Sequence, residues 1–211
     1  MHPGVTIVNS PCQGMLVQES EEGLREAVRV LRRGGIVAYP TDTLYALGAD
    51  ATSEDAVMRL YRLKRRPLSK PISAAFSSIE MVRRYCTVTP EAEKLMRRFL
   101  PGELTLLLPF RGLPRVLSAG MPKLAVRIPG SATALRLIEM FSKPVTATSA
   151  NISGEPPAKS AEEVTIEGVE VVIATEEPLS GVATTIYDPE TGRVLRRGSI
   201  SAEEIEACLR E

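Results

Sequence analysis

The sequence alternates helical patterns with short apolar runs along almost its whole length, and this alternation limits the fold more than any other feature. Within residues 21–33, apolar side chains recur at helical spacing until Gly34-Gly35 ends the pattern. Strands are predicted for the apolar runs 36–39, 72–76, 104–109, 124–128, 145–148, 169–174, 184–187 and 194–196. We therefore predict an α/β fold in which helices flank one twisted, mixed sheet.

Serine and threonine residues mark where most of the predicted helices begin. A side-chain oxygen at this position accepts a hydrogen bond from a free backbone N–H of the first turn. The predicted residues of this kind are Thr52 (paired with Asp55), Ser78, Thr89, Ser131 and Ser201 (paired with Glu204). No repeat or charged linker divides the sequence, so we predict a single domain over residues 1–211.

The composition disfavours several functional classes. Lys plus Arg and Asp plus Glu both total 26, so no net charge attracts nucleic acid or an anionic membrane. Cys12, Cys86 and Cys208 have no CxxC spacing and His2 is the single histidine, which argues against a zinc site, a disulfide framework and histidine-based catalysis. No apolar run is long enough to span a bilayer, so we predict a cytoplasmic protein with no membrane contact.

Cations are concentrated in the segment 64–71, where Lys64, Arg66 and Lys70 lie close together. Pro67 biases Arg66 toward an extended conformation, in which Lys64 and Arg66 point to the same side. Cations held this close repel one another, and a bound phosphate relieves the repulsion. The alternative is a solvated helix end whose cations complement the helix dipole, and spacing alone favours neither.

Polar residues follow predicted strands at two further places, TSAN (148–151) and TDT (41–43). Ligands of open α/β sheets bind beyond the carboxyl ends of strands, where Ser149 and Asn151 can contact a sugar, a phosphate or a base. An ordinary Ser/Asn turn explains the same composition and is the more common case. Arg127 stands alone in the apolar run 124–128, so it forms either a structural ion pair or the anchor for a ligand carboxylate.

Taken in order, these segments resemble those of the YrdC family. The matching stretches are GGIVAYPTDTLYALG (34–48), K-x-R-P with the following KP (64–71), PGELTLLLP (101–109), LAVRIP (124–129), TSANISGEPP (148–157), GVATTIYD (181–188) and LRRGSI (195–200). The resemblance covers about residues 20–205, which we take as the core of the domain. It implies a YrdC-like fold with a concave, basic cavity.

The resemblance also implies an activity, that of a threonylcarbamoyl-AMP synthase. Such an enzyme is a nucleotidyltransferase that makes threonylcarbamoyl-adenylate and pyrophosphate from L-threonine, bicarbonate and ATP, with Mg²⁺ carried by ATP and no metal site of its own. The product serves the threonylcarbamoyladenosine modification at position 37 of tRNA, and downstream transfer proteins complete that modification.

The family's ligands can be carried over by position. The implied ATP-binding residues are Lys64, Arg66, Lys70, Ser149, Asn151, Thr184 and Arg196, and Lys64 and Arg66 are also the implied catalytic residues. The implied threonine-binding residues are Thr43 and Arg127, with Arg127 pairing with the carboxylate.

The sequence departs from the family pattern at three positions that concern amino-acid selectivity. Ala75 stands where some relatives have a histidine that touches threonine, Glu103 replaces a common proline, and Lys123 takes the place of a hydroxyl residue. Two alternatives stay open: a non-catalytic RNA-binding module of the same fold, and a relative that uses another carbamoyl substrate, as the related domain of HypF does. Direct contact with RNA stays open as well.

Overall fold

The computed structural model describes residues 14–211, which form the predicted mixed α/β fold. The helices of this part are α1 (Glu21–Arg32), α2 (Glu54–Leu63), α3 (Ile79–Tyr85), α4 (Pro90–Phe99), α5 (Ala132–Phe141) and α6 (Ala202–Arg210). The strands are β1 (Met15–Gln18), β2 (Val37–Pro40), β3 (Tyr45–Gly48), β4 (Ala74–Ala75), β5 (Leu104–Pro109), β6 (Lys123–Arg127), β7 (Val145–Thr146), β8 (Thr148–Ser149), β9 (Val171–Ala174), β10 (Thr185–Asp188) and β11 (Arg193–Arg196).

Every one of these helices begins after a serine or threonine whose side chain accepts a backbone N–H of the first turn. The predicted first residues Ser78, Thr89, Ser131 and Ser201 are confirmed, and Ser201 forms the predicted capping box. The prediction for α2 is wrong by one residue. Ser53 caps this helix, whereas the Thr52 hydroxyl donates to Asp50 Oδ1 at 2.6 Å.

The strands form two mixed sheets, where the sequence predicted one. The first sheet has the order β1-β9-β2-β3-β8, and the second has the order β11-β10-β5-β6-β4-β7. Parallel and antiparallel pairs occur in both sheets, as in β2 beside β9 (parallel) and β2 beside β3 (antiparallel). A pattern of apolar runs shows where strands lie but not which strands pair, so it does not distinguish one sheet from two.

The run 145–148 shows how the two sheets are joined. Predicted as a single strand, it divides at Ala147 into β7 of the second sheet and β8 of the first. The predicted strand 72–76 is also shorter, since only Ala74 and Ala75 pair with neighbours. β1 and β3 were not predicted at all. The crossing at Ala147 brings one edge of each sheet together, and this junction frames the cavity described below.

The core consists largely of aliphatic side chains, with α1 packed against α5 and β9, and α4 against α6. Cys86 and Cys208 are buried free thiols, whereas Cys12 and His2 lie outside the described residues. Burial raises the pKa of the Cys86 thiol to about 12. Within residues 14–211, every helix is too short or too polar to cross a membrane.

Candidate active site

A cavity of about 470 Å³ opens between the two sheets. Its walls come from β3 and β8 of the first sheet and from β5, β6, β10 and β11 of the second. This volume lies within the ordinary range for small-molecule sites. Among the described residues that line it, Arg66, Arg127 and Arg196 are cationic and none is Asp or Glu. The charged side chains among these lining residues are therefore all cationic.

The cavity brings together six of the nine predicted site residues: Thr43, Arg66, Arg127, Ser149, Thr184 and Arg196. The other three are placed elsewhere. Lys70 is exposed, and Asn151 lines a second cavity of about 430 Å³. The Lys64 side chain is buried, with 1 % of the residue exposed, and is not part of the lining of either cavity.

The end of α2 explains why Lys64 and Arg66 are separated. The sequence predicted that both side chains point the same way from an extended segment, and this is wrong. Arg65 adopts a left-handed conformation (φ 50°), its N–H bonds to Arg62 O, and the Arg66 N–H bonds to Tyr61 O. This pair of bonds is the Schellman ending of a helix, in which glycine usually takes the place of Arg65. The turn sends Lys64 inward and Arg66 to the cavity.

The Arg66 guanidinium is held in place by two backbone carbonyls. Its Nε donates to Lys70 O at 3.1 Å and its Nη2 donates to Pro71 O at 2.8 Å. Partial burial lowers the pKa of Arg66 from its ordinary value. Two of the five N–H donors of a guanidinium are used in this way, so the group can still bind an anion.

Lys64 has a different environment, because its ammonium is covered by the segment that follows β8. Its Nζ donates to Ser149 O, to Asn151 O at 2.7 Å and to Asn151 Oδ1 at 3.0 Å. Burial, and to a smaller extent the charge of Arg66, lowers the pKa of Lys64 to about 7. The lysine is therefore held by oxygens of uncharged groups.

The segment 149–155 forms a compact turn beside the cavity. The Ser149 hydroxyl donates to Asn151 Oδ1 at 2.6 Å, and Asn151 Nδ2 donates to Glu155 O at 2.6 Å. The Ala150 N–H donates to Tyr45 O of β3 at 2.8 Å. Ser149 thus faces the cavity, whereas the Asn151 side chain stabilises the turn.

Arg127 lies in the opposite sheet and is 7 % exposed. Its Nη2 donates to Asp42 Oδ1, and its Nη1 donates to Thr43 Oγ1 at 3.4 Å. Arg127 Nε and Asp42 Oδ2 are both buried and have no hydrogen-bond partner within residues 14–211. Arg127 therefore forms the structural ion pair that the sequence left open, and the residue also lines the cavity.

Arg196 is oriented by two threonines, one of which the sequence did not identify. Its Nε donates to Thr184 O at 2.9 Å and its Nη2 donates to Thr184 Oγ1 at 2.8 Å. Thr184 Oγ1 in turn lies 2.7 Å from Thr105 Oγ1. The sequence signal that could have identified Thr105 is its hydroxyl within the otherwise apolar run 104–109. Gly198 lets the chain that follows Arg196 pass close to the backbone beside Thr184, since a Cβ at position 198 would lie 2.2 Å from Ala183 O.

Two of the three departures from the family pattern have a clear environment. Ala75 is fully buried in β4, which pairs with β6 and β7. Lys123 donates to both carboxylate oxygens of Asp188 at 2.8 Å and lies 2.6 Å from Glu190 Oε2. The ammonium of Lys123 is thus neutralised by two carboxylates, and the residue is not part of the cavity lining.

The fold and the cavity define an α/β protein with an arginine-lined cavity between two mixed sheets. The chain belongs to the Sua5/YciO/YrdC family, whose model, described as "Telomere recombination", matches residues 29–198. This confirms the family that the seven sequence stretches indicated.

Relatives and solved structures agree with this membership. A threonylcarbamoyl-AMP synthase of Pyrococcus abyssi is 40 % identical over 197 residues, covering 89 % of this chain and 57 % of the relative. The synthase of Xanthomonas campestris strain B100 is 33 % identical, covering 82 % of this chain and 96 % of the relative. The crystal structure of P. abyssi Sua5 complexed with L-threonine is 40 % identical, with a TM-score of 0.86, covering 92 % of this chain and 59 % of that one. The chain spans about half the length of the first of these relatives.

Proposed function

We propose that this protein is a threonylcarbamoyl-AMP synthase, a nucleotidyltransferase acting on L-threonine, bicarbonate and ATP. One observation carries the proposal: a single cavity is lined both by residues predicted to bind ATP and by residues predicted to bind threonine. Homologues named for this activity, and a relative crystallised with L-threonine, support it.

The nucleotide half of the site is assigned to Arg66, Ser149 and Arg196. Arg66 and Arg196 have fixed orientations and unused N–H donors, which suits bidentate contact with phosphate oxygens. The exposed Lys70, whose carbonyl accepts from Arg66 Nε, keeps its predicted role as an ATP ligand in this proposal. Mg²⁺ arrives with ATP in this proposal, held largely by phosphate oxygens and water.

The threonine half is assigned to Arg127 and Thr43. An amino acid carries an anionic carboxylate, and the guanidinium of Arg127, which lines the cavity, is complementary to that group. The Thr43 hydroxyl accepts from Arg127 and lies 3.0 Å from Thr41 Oγ1, so its position is fixed as well.

The proposed reaction uses no covalent enzyme intermediate. The threonine amine and bicarbonate combine to a carbamate with loss of water, a carbamate oxygen attacks the α-phosphorus of ATP, and pyrophosphate leaves. Such phosphoryl chemistry depends on positioning and on stabilisation of negative charge more than on acid–base groups. The arginines and hydroxyls that line the cavity can supply both.

Pyrophosphate release by the purified chain tests the proposal and separates its rivals. We expect release with ATP, bicarbonate and threonine, and only background release when any one of the three is omitted. A non-catalytic RNA-binding module releases no pyrophosphate under any condition. An enzyme with a different carbamoyl substrate is indifferent to threonine. Either result would refute the synthase assignment.

The cellular role follows from the same assignment. The product would feed the threonylcarbamoyladenosine modification of tRNA through downstream transfer proteins, and an enzyme of this pathway works in the cytoplasm where tRNA and ATP are found. The proposal does not include tRNA as a direct ligand, because the residues assigned to the three small substrates are enough for the reaction.

A further inference from the structure

The buried Lys64 joins the end of α2 to the segment that carries Ser149 and Asn151. Its side chain donates to Ser149 O, Asn151 O and Asn151 Oδ1, and its own carbonyl accepts from the Ser153 N–H at 2.9 Å. Both ends of the residue therefore hold the segment 149–153. A lysine whose role is to bind phosphate would not need this many hydrogen bonds within the protein.

The donors of Lys64 are fully used within the protein. An ammonium has three N–H donors, and each of them has an oxygen acceptor here. With 1 % of the residue exposed and no part in the cavity lining, the ammonium can reach a phosphate only by breaking these bonds. Direct phosphate binding would thus disrupt the turn that presents Ser149 to the cavity.

We propose that Lys64 is a positioning residue, which holds the Ser149–Asn151 turn in the conformation that receives the nucleotide and does not itself contact phosphate. The proposal rests on the assigned synthase function. It divides the K-x-R pair between two tasks: Lys64 anchors the turn from inside, and Arg66 meets the ligand from the cavity wall.

The charges around Lys64 agree with this division. None of its three acceptors is a carboxylate, and the covering segment 149–153 has no ionisable side chain. The charged group that acts on it is Arg66, another cation. An anionic ligand bound at Arg66 would therefore stabilise the protonated form of Lys64 and tighten the turn, which links nucleotide binding to the anchor without a direct contact.

Amide hydrogen exchange in the ligand-free protein tests the anchor directly. Lys64→Met keeps an unbranched side chain one atom shorter and removes the donors, and Arg62→Met removes an exposed cation at the same helix end as a matched control. Because Lys64→Met loses charge-assisted hydrogen bonds, we expect the amides of Ala150 and Ser153 to exchange about tenfold to hundredfold faster in this variant. We expect no change in Arg62→Met, and no change in either variant at Leu95 in α4.

Kinetics distinguish positioning from a purely structural role. We expect Lys64→Met to raise the KM for ATP by about tenfold or more, with the KM for threonine unchanged. A lysine that contributes only to folding lowers the melting temperature and leaves the KM for ATP alone, and that result would overturn the proposal. Unchanged exchange at Ala150 and Ser153 together with lost ATP binding would instead make Lys64 a direct ligand.

A measurement on the wild-type protein covers the case in which Lys64→Met does not fold. Scalar couplings from Lys64 Nζ to the carbonyls of Ser149 and Asn151, observed by NMR, should persist when a non-hydrolysable ATP analogue binds. Their replacement by a coupling to phosphorus would refute the proposal. If the wild type releases no pyrophosphate, the synthase assignment fails, while the ligand-free exchange data still report whether Lys64 anchors the turn.

Discussion

The ion pair between Arg127 and Asp42 allows the threonine site to be tested apart from the stability of the fold. The two side chains are 8 % and 15 % exposed, so the pair is nearly buried. Arg127→Met leaves the Asp42 carboxylate in that environment without its counter-ion, a change that typically costs about 3–5 kcal/mol. For a chain of this size, the loss corresponds to a fall in Tm of roughly 10 °C.

Removing both charges separates the two roles of Arg127. In the double variant Asp42→Asn/Arg127→Met no buried charge is left unpaired, so we expect most of the lost stability to return. Threonine binding should not return, because the guanidinium that receives the carboxylate is still absent. The desolvated charge pair between Arg127 and the threonine carboxylate is lost in both variants. We therefore expect threonine to bind about thirtyfold more weakly, or weaker still, in the single and the double variant alike.

Chemical denaturation and calorimetric titration provide the assay, and they are applied to the wild type, to Arg127→Met, to Asp42→Asn and to the double variant. Arg136→Met, which removes an exposed arginine, is the control for loss of a positive charge. ATP affinity should stay within a few-fold of the wild type in the double variant. A well-folded double variant that binds threonine as tightly as the wild type would show that Arg127 does not anchor the substrate carboxylate.

Three further predictions concern other parts of the site and core. Thr184→Val removes the hydroxyl that accepts from Arg196 Nη2, and it should raise the KM for ATP several-fold. Thr184→Ser keeps a hydroxyl and should have a KM close to that of the wild type. Equal KM values for the two variants would contradict the role of this hydroxyl. Thiol titration should find Cys86 unreactive in the native protein, since its pKa is raised to about 12, and all three cysteines free after denaturation. The pKa of Lys64 falls from 10.5 to about 7 on folding, so between these two pH values the native state binds fewer protons than the unfolded state. The unfolding free energy of the wild type, measured relative to Lys64→Met, should therefore rise between pH 7 and 10.5 and stay constant below pH 7.

Local signals in the sequence predicted the local structure well. Ser78, Thr89, Ser131 and Ser201 begin helices as predicted, because capping depends on residues only three positions apart. The strand 104–109 also has the predicted bounds. The division into two sheets was not predictable in this way, since it depends on the pairing of β7 and β8 with strands far away in sequence.

The candidate site shows the same limit. The ordered motifs identified the residues of the cavity wall, such as Arg66 and Ser149, without indicating which side chains face the ligand. Lys64 was placed beside Arg66 because a proline suggested extended backbone, but the left-handed Arg65 turns the chain between them. The partner of Arg127 is Asp42, 85 positions away, and no local pattern shows that pairing.

Detection of the product by mass spectrometry tests the central claim most directly. The purified chain is incubated with ATP, L-threonine and ¹³C-labelled bicarbonate, and the nucleotides are separated at once. The account predicts an adenylate that contains threonine and carries the ¹³C label, formed in step with pyrophosphate and absent without the chain. Pyrophosphate without a labelled threonine adenylate, or no nucleotide product at all, would contradict the proposed function.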